Sequence, residues 1–257
     1  MDASVLERRE GAAAWITLNR PEKRNALSRG MIAALKSALS RADGDAEVRV
    51  IALEGAGSDF CAGADLAEMK AMLAAPVLEN LEDADALGEL LLQIRRMRKP
   101  VVAVVRGRAL AGGCGLATAC DLVIAAESAR FGYPEVGIGF VPAMVMALLR
   151  RSVGEKRAFE LICGGEPVDA AEAERLGLVN RVAPDDQLAA HAGELLARLA
   201  DRSPSALQLC KRLLYQQDGM SVEAAVRSGA EINAIARATE DARAGIARFT
   251  GSSGESR

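Results

Sequence analysis

A lone carboxylate, Glu135, lies between a proline and an apolar run in the stretch GYPEVGIGF. A carboxyl group in apolar surroundings has a raised pKa, which suits a residue that takes up and releases protons near neutral pH. The alternative is that Glu135 only caps the turn after Pro134. We favour the acid–base role, because the chain offers few other groups for this chemistry.

Other catalytic groups are scarce in this sequence. The one histidine, His191, falls in a helical pattern and is explained as a partly exposed helix residue. The sequence has no H-E-x-x-H, C-x-x-C, G-x-S-x-G or P-loop motif, so we expect no metal site. The five cysteines have small or apolar neighbours, as buried free thiols do. An odd number without a secretory signal predicts a cytoplasmic protein.

Two segments of small residues could bind an anion through their main-chain amides. FCAGADL (60–66) and ALAGGCGL (109–116) each follow an apolar run and open a helical pattern. Amides at a helix start lack intrahelical partners, and the helix dipole adds positive potential there. Two such segments directed at one oxygen atom would form an oxyanion hole. Either segment alone is better explained as a tight strand-to-helix turn, but both together with Glu135 favour a catalytic site.

The elements that would hold these segments alternate between strand and helix patterns. Strands are predicted at 14–19, 48–55, 100–105, 121–126 and 177–183. Helices are predicted from the N-cap Ser28 onward and at about 79–98, and the pattern is helical only from about residue 185. This order predicts an α/β fold with a mostly buried sheet. We expect a core domain at 1–200 and a C-terminal helical region at 201–257.

Composition excludes two classes of partner. Half of the 257 residues are hydrophobic, the formal net charge is −3, and only 3% of residues are aromatic. Without a basic block or stacking aromatics, nucleic-acid binding is not expected. No apolar run reaches the roughly 18 residues that a membrane span requires, so no membrane partner is expected either.

Five stretches together resemble a known family. They are LNRPEKRNALS, FCAGADLAEM, KPVVAVVRGRALAGGCGLATACDLVIAAESARFGYPEVGIG, EAERLGLVNRVAP and SPSALQLCKRLL. The chain resembles the crotonase, or enoyl-CoA hydratase/isomerase, superfamily over nearly its whole length. The resemblance implies a spiral of ββα units with a C-terminal helical region that forms trimers, which commonly stack as hexamers. It also implies an acyl-CoA thioester substrate, with coenzyme A as part of the substrate and no separate cofactor.

The resemblance also assigns roles to residues. The oxyanion-hole amides fall on Ala62 and Gly112, with Glu135 as the catalytic carboxylate. The residues implied to bind substrate are Lys23, Arg24, Ala26, Ala64, Asp65, Leu66, Leu110 and Gly115. For Asp65, a role as a first-turn acid of a helix is preferred to a catalytic one.

One departure from the family bears directly on activity. Many family hydratases use two glutamates, and the first of them falls on Gly115 here. We hypothesise that Gly115 leaves space or a solvent path where that carboxylate would lie. Glu135 alone could serve a hydratase that adds water to a 2-enoyl-CoA, or an isomerase that moves a proton between C2 and C4. A non-catalytic acyl-CoA-binding protein is the third alternative, and the presence of Glu135 and both glycine segments argues against it.

Overall fold

The computed structural model describes residues 4–251, so the ends of both predicted regions, 1–3 and 252–257, lie outside it. The strands are β1 (Val5–Glu10), β2 (Ala13–Leu18), β3 (Val50–Gly55), β4 (Val101–Val105), β5 (Arg108–Leu110), β6 (Leu122–Ala126), β7 (Arg130–Gly132), β8 (Val168–Asp169) and β9 (Arg181–Ala183). The helices are α1 (Arg29–Gly44), α2 (Leu66–Met72), α3 (Val77–Arg96), α4 (Gly112–Ala119), α5 (Ala143–Val153), α6 (Glu155–Gly164), α7 (Ala170–Leu176), α8 (Leu188–Ala200), α9 (Pro204–Gln216), α10 (Val222–Ala238) and α11 (Glu240–Gly251). Two 3-10 helices span Pro21–Lys23 and Pro134–Ile138.

A six-stranded sheet with the order β1-β2-β3-β4-β6-β9 forms the centre of the fold. β1 pairs with β2 in the antiparallel sense, and all other pairs in this sheet are parallel. The predicted α/β class with a mostly buried sheet is therefore confirmed. β1 was not predicted from the sequence. Five of its six residues are exposed, so the strand has no alternating apolar pattern.

Helices cover both faces of this sheet. Ile51 and Leu53 of β3 belong to the larger core, together with buried residues of α1, α3 and α4. Val50 and Ala52 face the opposite way and pack with buried residues of α8. Alternate residues of a strand point to opposite faces, so a strand covered on both sides is apolar throughout.

The first helix follows the sequence prediction closely. The Ser28 hydroxyl accepts the N–H of Met31 at 3.2 Å, as an N-cap residue does. The predicted apolar positions Met31, Leu35 and Leu39 are all fully buried. The predicted strand at 177–183 is wrong in its first half, because Gly177 at φ 86° ends α7 and only Arg181–Ala183 pairs with β6.

A smaller sheet, with the order β5-β7-β8, supports the turn before α4. Cys61 forms a parallel bridge with Ala109 of β5, which joins the first glycine segment to the second. The fold therefore brings the two segments together, although they are separated by two helices in the sequence.

The C-terminal helices are anchored to the core through a buried lysine. Lys211 of α9 is 7% exposed, and its Nζ donates to Asp121 Oδ2 at 2.6 Å and to the Lys99 carbonyl oxygen at 2.9 Å. The Tyr215 hydroxyl donates to the other oxygen of Asp121 at 2.6 Å. Asp121 immediately precedes β6, so these bonds fix α9 at the end of the central sheet where β6 begins.

Residues 4–251 contain neither a membrane-spanning helix nor a cluster of metal ligands. No helix there has the length and apolar character needed to cross a bilayer. The same residues contain no group of three histidine, cysteine or acidic side chains placed to hold a metal ion.

Candidate active site

Three chain segments lie side by side at the site. The Leu27 N–H donates to the Gly63 carbonyl oxygen at 2.7 Å, and the Asp65 N–H donates to the Leu27 carbonyl oxygen at 2.9 Å. On the other side, the Cys61 N–H donates to Arg108 at 2.9 Å, and the Leu110 N–H donates back to Cys61 at 3.0 Å. The segment 61–65 is therefore held between residues 24–27 and β5.

This pairing determines the direction of the Ala64 amide. Leu27 bonds to Gly63 and Asp65, the residues on either side of Ala64. The Gly63 carbonyl and the Ala64 N–H belong to one trans peptide group and point in opposite directions, so the Ala64 N–H points away from Leu27. Within the described part of the chain this N–H has no hydrogen-bond acceptor, and Ala64 is exposed.

A second free amide lies nearby, at the start of α4. Gly112 is the first residue of that helix, so its N–H has no intrahelical acceptor, and no other described residue accepts it. The Gly112 nitrogen lies 3.6 Å from the point where a β-carbon on Gly63 would stand. The free amides of Ala64 and Gly112 thus belong to chain segments in direct contact. Such proximity is one requirement for two donors to bind one oxygen atom.

The assignment of Ala62 as an oxyanion donor is wrong. Its N–H donates to the Arg24 carbonyl oxygen at 3.0 Å, so it is already satisfied within the chain. Regular extended chain would direct the Ala62 and Ala64 amides to the same side. Gly63 lies between them with φ 102°, which breaks this regularity, and only the Ala64 amide is free. Inspection of the sequence could not settle the choice without knowing which neighbour pairs with this segment.

A strained residue precedes Gly112. Ala111 has φ 52° and ψ −128°, a conformation that a residue with a β-carbon rarely adopts. Its N–H donates to the Gly132 carbonyl oxygen of β7 at 2.8 Å, which holds the turn in place. Backbone strain of this kind costs about 1–3 kcal/mol and is found at functional turns. This conformation of Ala111 forms the sharp turn between β5 and α4.

Glu135 lies in the first turn of the 3-10 helix Pro134–Ile138. Its Oε2 atom is buried and has no hydrogen-bond partner among the described residues. Burial raises the pKa of Glu135 above its ordinary value, because the charged form loses its hydration. Burial, and to a smaller extent the charge of Glu135, raises the pKa of the Cys114 thiol in α4 to about 12. The hydroxyl of Tyr133, two residues before Glu135, lies 3.0 Å from the Thr118 hydroxyl of α4, so Glu135 lies close to the helix that begins with Gly112.

Two residues before Glu135, Tyr133 belongs to a small buried group of hydroxyls, and the Thr118 member of this group was not expected from the sequence. Tyr133 is fully buried, and its hydroxyl lies 3.0 Å from the Thr118 hydroxyl. Thr118 in turn donates to the Cys114 carbonyl oxygen at 2.8 Å. These bonds tie the strand before Glu135 to α4, and hence to the turn that carries Gly112.

The hypothesis that Gly115 leaves open space is also wrong. Gly115 is buried, and a β-carbon placed on it would lie 1.9 Å from Cγ1 of Val145 in α5. Val145 is 2% exposed and fills the volume that a longer side chain at position 115 would need. Gly115 consequently lets α4 and α5 pack closely, and the structure gives it no direct role in binding substrate.

The remaining predicted substrate-binding residues surround the two amides. Lys23 and Arg24 are exposed and form no ion pair within residues 4–251, and Ala26 is half-buried. Leu66 is 70% exposed at the start of α2, while Leu110 is half-buried beside the second segment. Asp65 caps α2 by accepting the Ala67 N–H at 3.0 Å. Methyl carbons of Leu27 and Leu87, which were not predicted, lie 3.6 Å from the β-carbon position of Gly112.

Comparison with known proteins identifies the family. The family described as enoyl-CoA hydratase/isomerase matches residues 8–253. The chain belongs to this family. It is 43% identical, over 95% of its length and 97% of the relative, to a Thermus thermophilus protein named provisionally as an enoyl-CoA hydratase. It is 36% identical to the 2,3-dehydroadipyl-CoA hydratase of Escherichia coli, over 96% of this chain and 95% of that one.

Solved structures of this family have the same fold. An enoyl-CoA hydratase from Mycobacterium smegmatis superposes with a TM-score of 0.91 at 34% identity, covering 97% of this chain and 96% of that one. An enoyl-CoA hydratase subunit from Geobacillus kaustophilus gives a TM-score of 0.90 at 36% identity, covering 97% and 95%. The crotonase fold is thereby confirmed, and the enoyl-CoA hydratase relatives support hydratase activity in this chain.

Proposed function

We propose that this protein adds water to the double bond of a 2-enoyl-CoA thioester, with the Ala64 and Gly112 amides as the oxyanion hole and Glu135 as the acid–base residue. The observation that carries the proposal is the unpartnered, buried Oε2 of Glu135 in a segment that contacts the helix beginning with a free amide. A buried carboxylate without a partner is costly to keep. Such a group is explained if substrate or water completes its bonding.

The proposed chemistry needs one proton carrier. Glu135 accepts a proton from water as the water oxygen bonds to C3 and the double-bond electrons move toward the thioester oxygen. The Ala64 and Gly112 amides stabilise the resulting enolate. Protonated Glu135 then gives the proton to C2, so the elements of water are added and the carboxylate is regenerated. The raised pKa of Glu135 suits both halves of this exchange.

An isomerase remains the second candidate function, because of Val145. A second carboxylate cannot stand at position 115 while Val145 occupies that volume. A site with one carboxylate suits transfer of a proton between C2 and C4 of a 3-enoyl-CoA, for which no water need be oriented. The third candidate, an acyl-CoA-binding protein without activity, is disfavoured by the cost of leaving Oε2 of the half-buried Glu135 without a hydrogen-bond partner.

Spectrophotometry with the native protein and Glu135→Gln distinguishes these functions. Hydration removes the absorbance of the conjugated enoyl thioester, whereas isomerisation of a 3-enoyl substrate creates it. General acid–base catalysis contributes about 10²–10⁴-fold, so Glu135→Gln is expected to lose at least that much turnover with thioester affinity nearly unchanged. Full activity of Glu135→Gln on every thioester that the native protein converts would refute the proposed mechanism.

The substrate's acyl group is proposed to be apolar near the thioester. Leu27 and Leu87 flank Gly112, and Met144 of α5 lies 3.7 Å from the β-carbon position of Gly88 in α3. These side chains favour hydrocarbon over a charged group. The exposed Lys23 and Arg24 are suited to the phosphates of coenzyme A, and no cofactor beyond the substrate is needed. A role in fatty acid metabolism follows if straight-chain enoyl thioesters are converted fastest.

We also propose that the chain assembles as a trimer, or as a dimer of trimers, in the cytoplasm. The support is the apolar surface that α9 to α11 leave uncovered in one chain: Leu214 (64% exposed), Val222 (80%), Val226 (69%), Ile235 (49%) and Ile246 (61%). Ile232 of α10 is buried within the chain at 8% exposure and does not contribute to this surface. Light scattering tests the assembly, and a stable, active monomer would rule it out.

A further inference from the structure

Arg20 joins the segment 20–27 to Asp65, the residue that follows the free Ala64 amide. Its Nη2 donates to Oδ2 of Asp65 at 2.8 Å, and its Nη1 donates to the Ala26 carbonyl oxygen at 2.9 Å. The other carboxylate oxygen of Asp65 accepts the Ala67 N–H at 3.0 Å. One guanidinium group therefore holds the main chain of one segment and the side chain of the next.

Arg20 is itself held firmly. Its N–H donates to Oδ1 of Asn25 at 2.9 Å, and its carbonyl oxygen accepts the Asn25 N–H at 2.9 Å. Asn25 is fully buried and also donates to the Asp59 carbonyl oxygen at 2.7 Å. The side chains of Arg20 and Asp65 are 22% and 11% exposed, so water competes only weakly for their ion pair. The hydrogen bond from Arg20 lowers the pKa of Asp65, which keeps the pair charged near neutral pH.

We propose that Asp65, held by Arg20, is a positioning residue that fixes the direction of the Ala64 amide. The inference rests on the proposed function, because it concerns the same oxyanion hole. Leu27 fixes Ala64 through main-chain bonds on both sides, and the Arg20–Asp65 pair adds the side-chain restraint at the point where the chain turns into α2. The segment 20–27 is proposed to bind coenzyme A. Through Arg20, the position of this segment determines the position of the Ala64 oxyanion donor.

The physical reason is the steep dependence of an oxyanion hole on geometry. A donor stabilises developing charge only if it is already aimed at the oxygen atom, and a misplacement of about 1 Å can cost about 10²-fold in rate. The reactant carbonyl carries less charge than the enolate. Loosening Ala64 should therefore affect turnover more than binding.

Asp65→Asn is the decisive variant. Asparagine keeps the oxygen that caps α2 and replaces the oxygen that accepts from Arg20. We expect kcat to fall by about 10-fold or more, from loss of donor alignment, while KM changes by less than about 3-fold. The matched control is Asp169→Asn, because Asp169 caps α7 in the same way by accepting the Glu172 N–H at 2.8 Å. Asp169→Asn is expected to leave both constants unchanged.

A spectroscopic measurement separates positioning from a purely structural role. Acetoacetyl-CoA forms a conjugated enolate that absorbs in the ultraviolet, and an oxyanion hole favours this form of the bound ligand. Asp65→Asn should bind acetoacetyl-CoA with a weaker enolate band than the native protein, at equal saturation. A band in the native protein without hydration or isomerisation of any enoyl thioester would refute the proposed function but leave this inference intact.

Arg20→Lys provides the same test if Asp65→Asn folds poorly. Lysine keeps the positive charge, but it lacks the planar guanidinium group with which arginine donates to Asp65 and to the Ala26 carbonyl oxygen at once. It is expected to lower kcat and the enolate band in parallel. A folded Asp65→Asn or Arg20→Lys variant with native kcat and a native enolate band would overturn the inference, as would a rise in KM at constant kcat.

Discussion

Cγ1 of Val145 lies 1.9 Å from the point where a β-carbon on Gly115 would stand. Helices α4 and α5 therefore approach so closely that any side chain at position 115 collides with the valine. Position 115 therefore carries no second carboxylate, because Val145 occupies the volume that its side chain would need.

Gly115→Glu alone is expected to destabilise the fold. Overpacking a core by even a methylene costs about 1–3 kcal/mol, and a glutamate adds a buried charge. Gly115→Glu combined with Val145→Gly is expected to recover part of the lost stability and to raise hydration relative to isomerisation. Chemical denaturation and the two spectrophotometric assays measure these effects. Equal stability of Gly115→Glu and the native protein would contradict the packing argument.

Gly193→Ala in α8 serves as the control for that prediction. No atom lies within 4 Å of the β-carbon position of Gly193. Alanine is more favourable than glycine in a helix by about 0.5–1 kcal/mol, so this variant is expected to be slightly more stable than the native protein.

Gly112→Pro is expected to remove an oxyanion donor. Proline lacks an N–H and is tolerated at the first position of a helix, where the N–H is free in any case. Losing one such donor costs about 10²–10³-fold in kcat. Glu155→Pro is the control, because Glu155 is the exposed first residue of α6. Near-native turnover in a folded Gly112→Pro variant would exclude this amide from catalysis.

The helices and buried strands could be predicted because their signals are local. The apolar positions of α1 and the cap Ser28 lie within one helix, so the sequence contains the whole argument. The exposed strand β1 and the short sheet β5-β7-β8 depend on pairing with distant strands. Nothing in their own residues distinguishes them from loops.

The candidate site shows the same division. Glu135, Gly112 and Ala64 were all singled out from motifs, but choosing Ala64 rather than Ala62 as the donor requires knowing which residues pair with that segment. The role of Gly115 depended on Val145, thirty residues later in the sequence and on a different helix. The free amide and the role of Gly115 both depend on pairing and packing between distant segments. The local sequence therefore does not predict them.

Lys211→Met is expected to weaken attachment of the C-terminal helices. It would leave Asp121 without its cation in a site where the two side chains are only 6% and 14% exposed. Breaking one half of a buried ion pair costs about 3–5 kcal/mol. The exposed pair of Arg150 and Glu155 provides the control, since Glu155→Gln should cost less than about 1 kcal/mol. Denaturant unfolding measures both, and equal effects would show that the buried network is not needed for anchoring.

Glu135→Gln should also change how stability depends on pH. The pKa of Glu135 in the folded protein lies above its ordinary value of 4.5, because of burial. Between those two pKa values the folded state binds more protons than the unfolded state, so this group makes the native protein less stable as pH rises. Glutamine does not titrate. The free energy of unfolding of Glu135→Gln minus that of the native protein should therefore increase from pH 4.5 toward neutral pH.

The slope of this difference with pH, rather than its size, is the measurement that decides. Any cost of burying the glutamine amide is the same at every pH and cancels from the slope. Glu172→Gln is the control of opposite sign, because the hydrogen bond from Arg175 lowers the pKa of Glu172. That carboxylate stabilises the folded state above its ordinary pKa of 4.5 and loses this effect as pH falls through its lowered value. A difference for Glu135→Gln that stays constant with pH would mean that Glu135 titrates normally and is not held in a desolvated site.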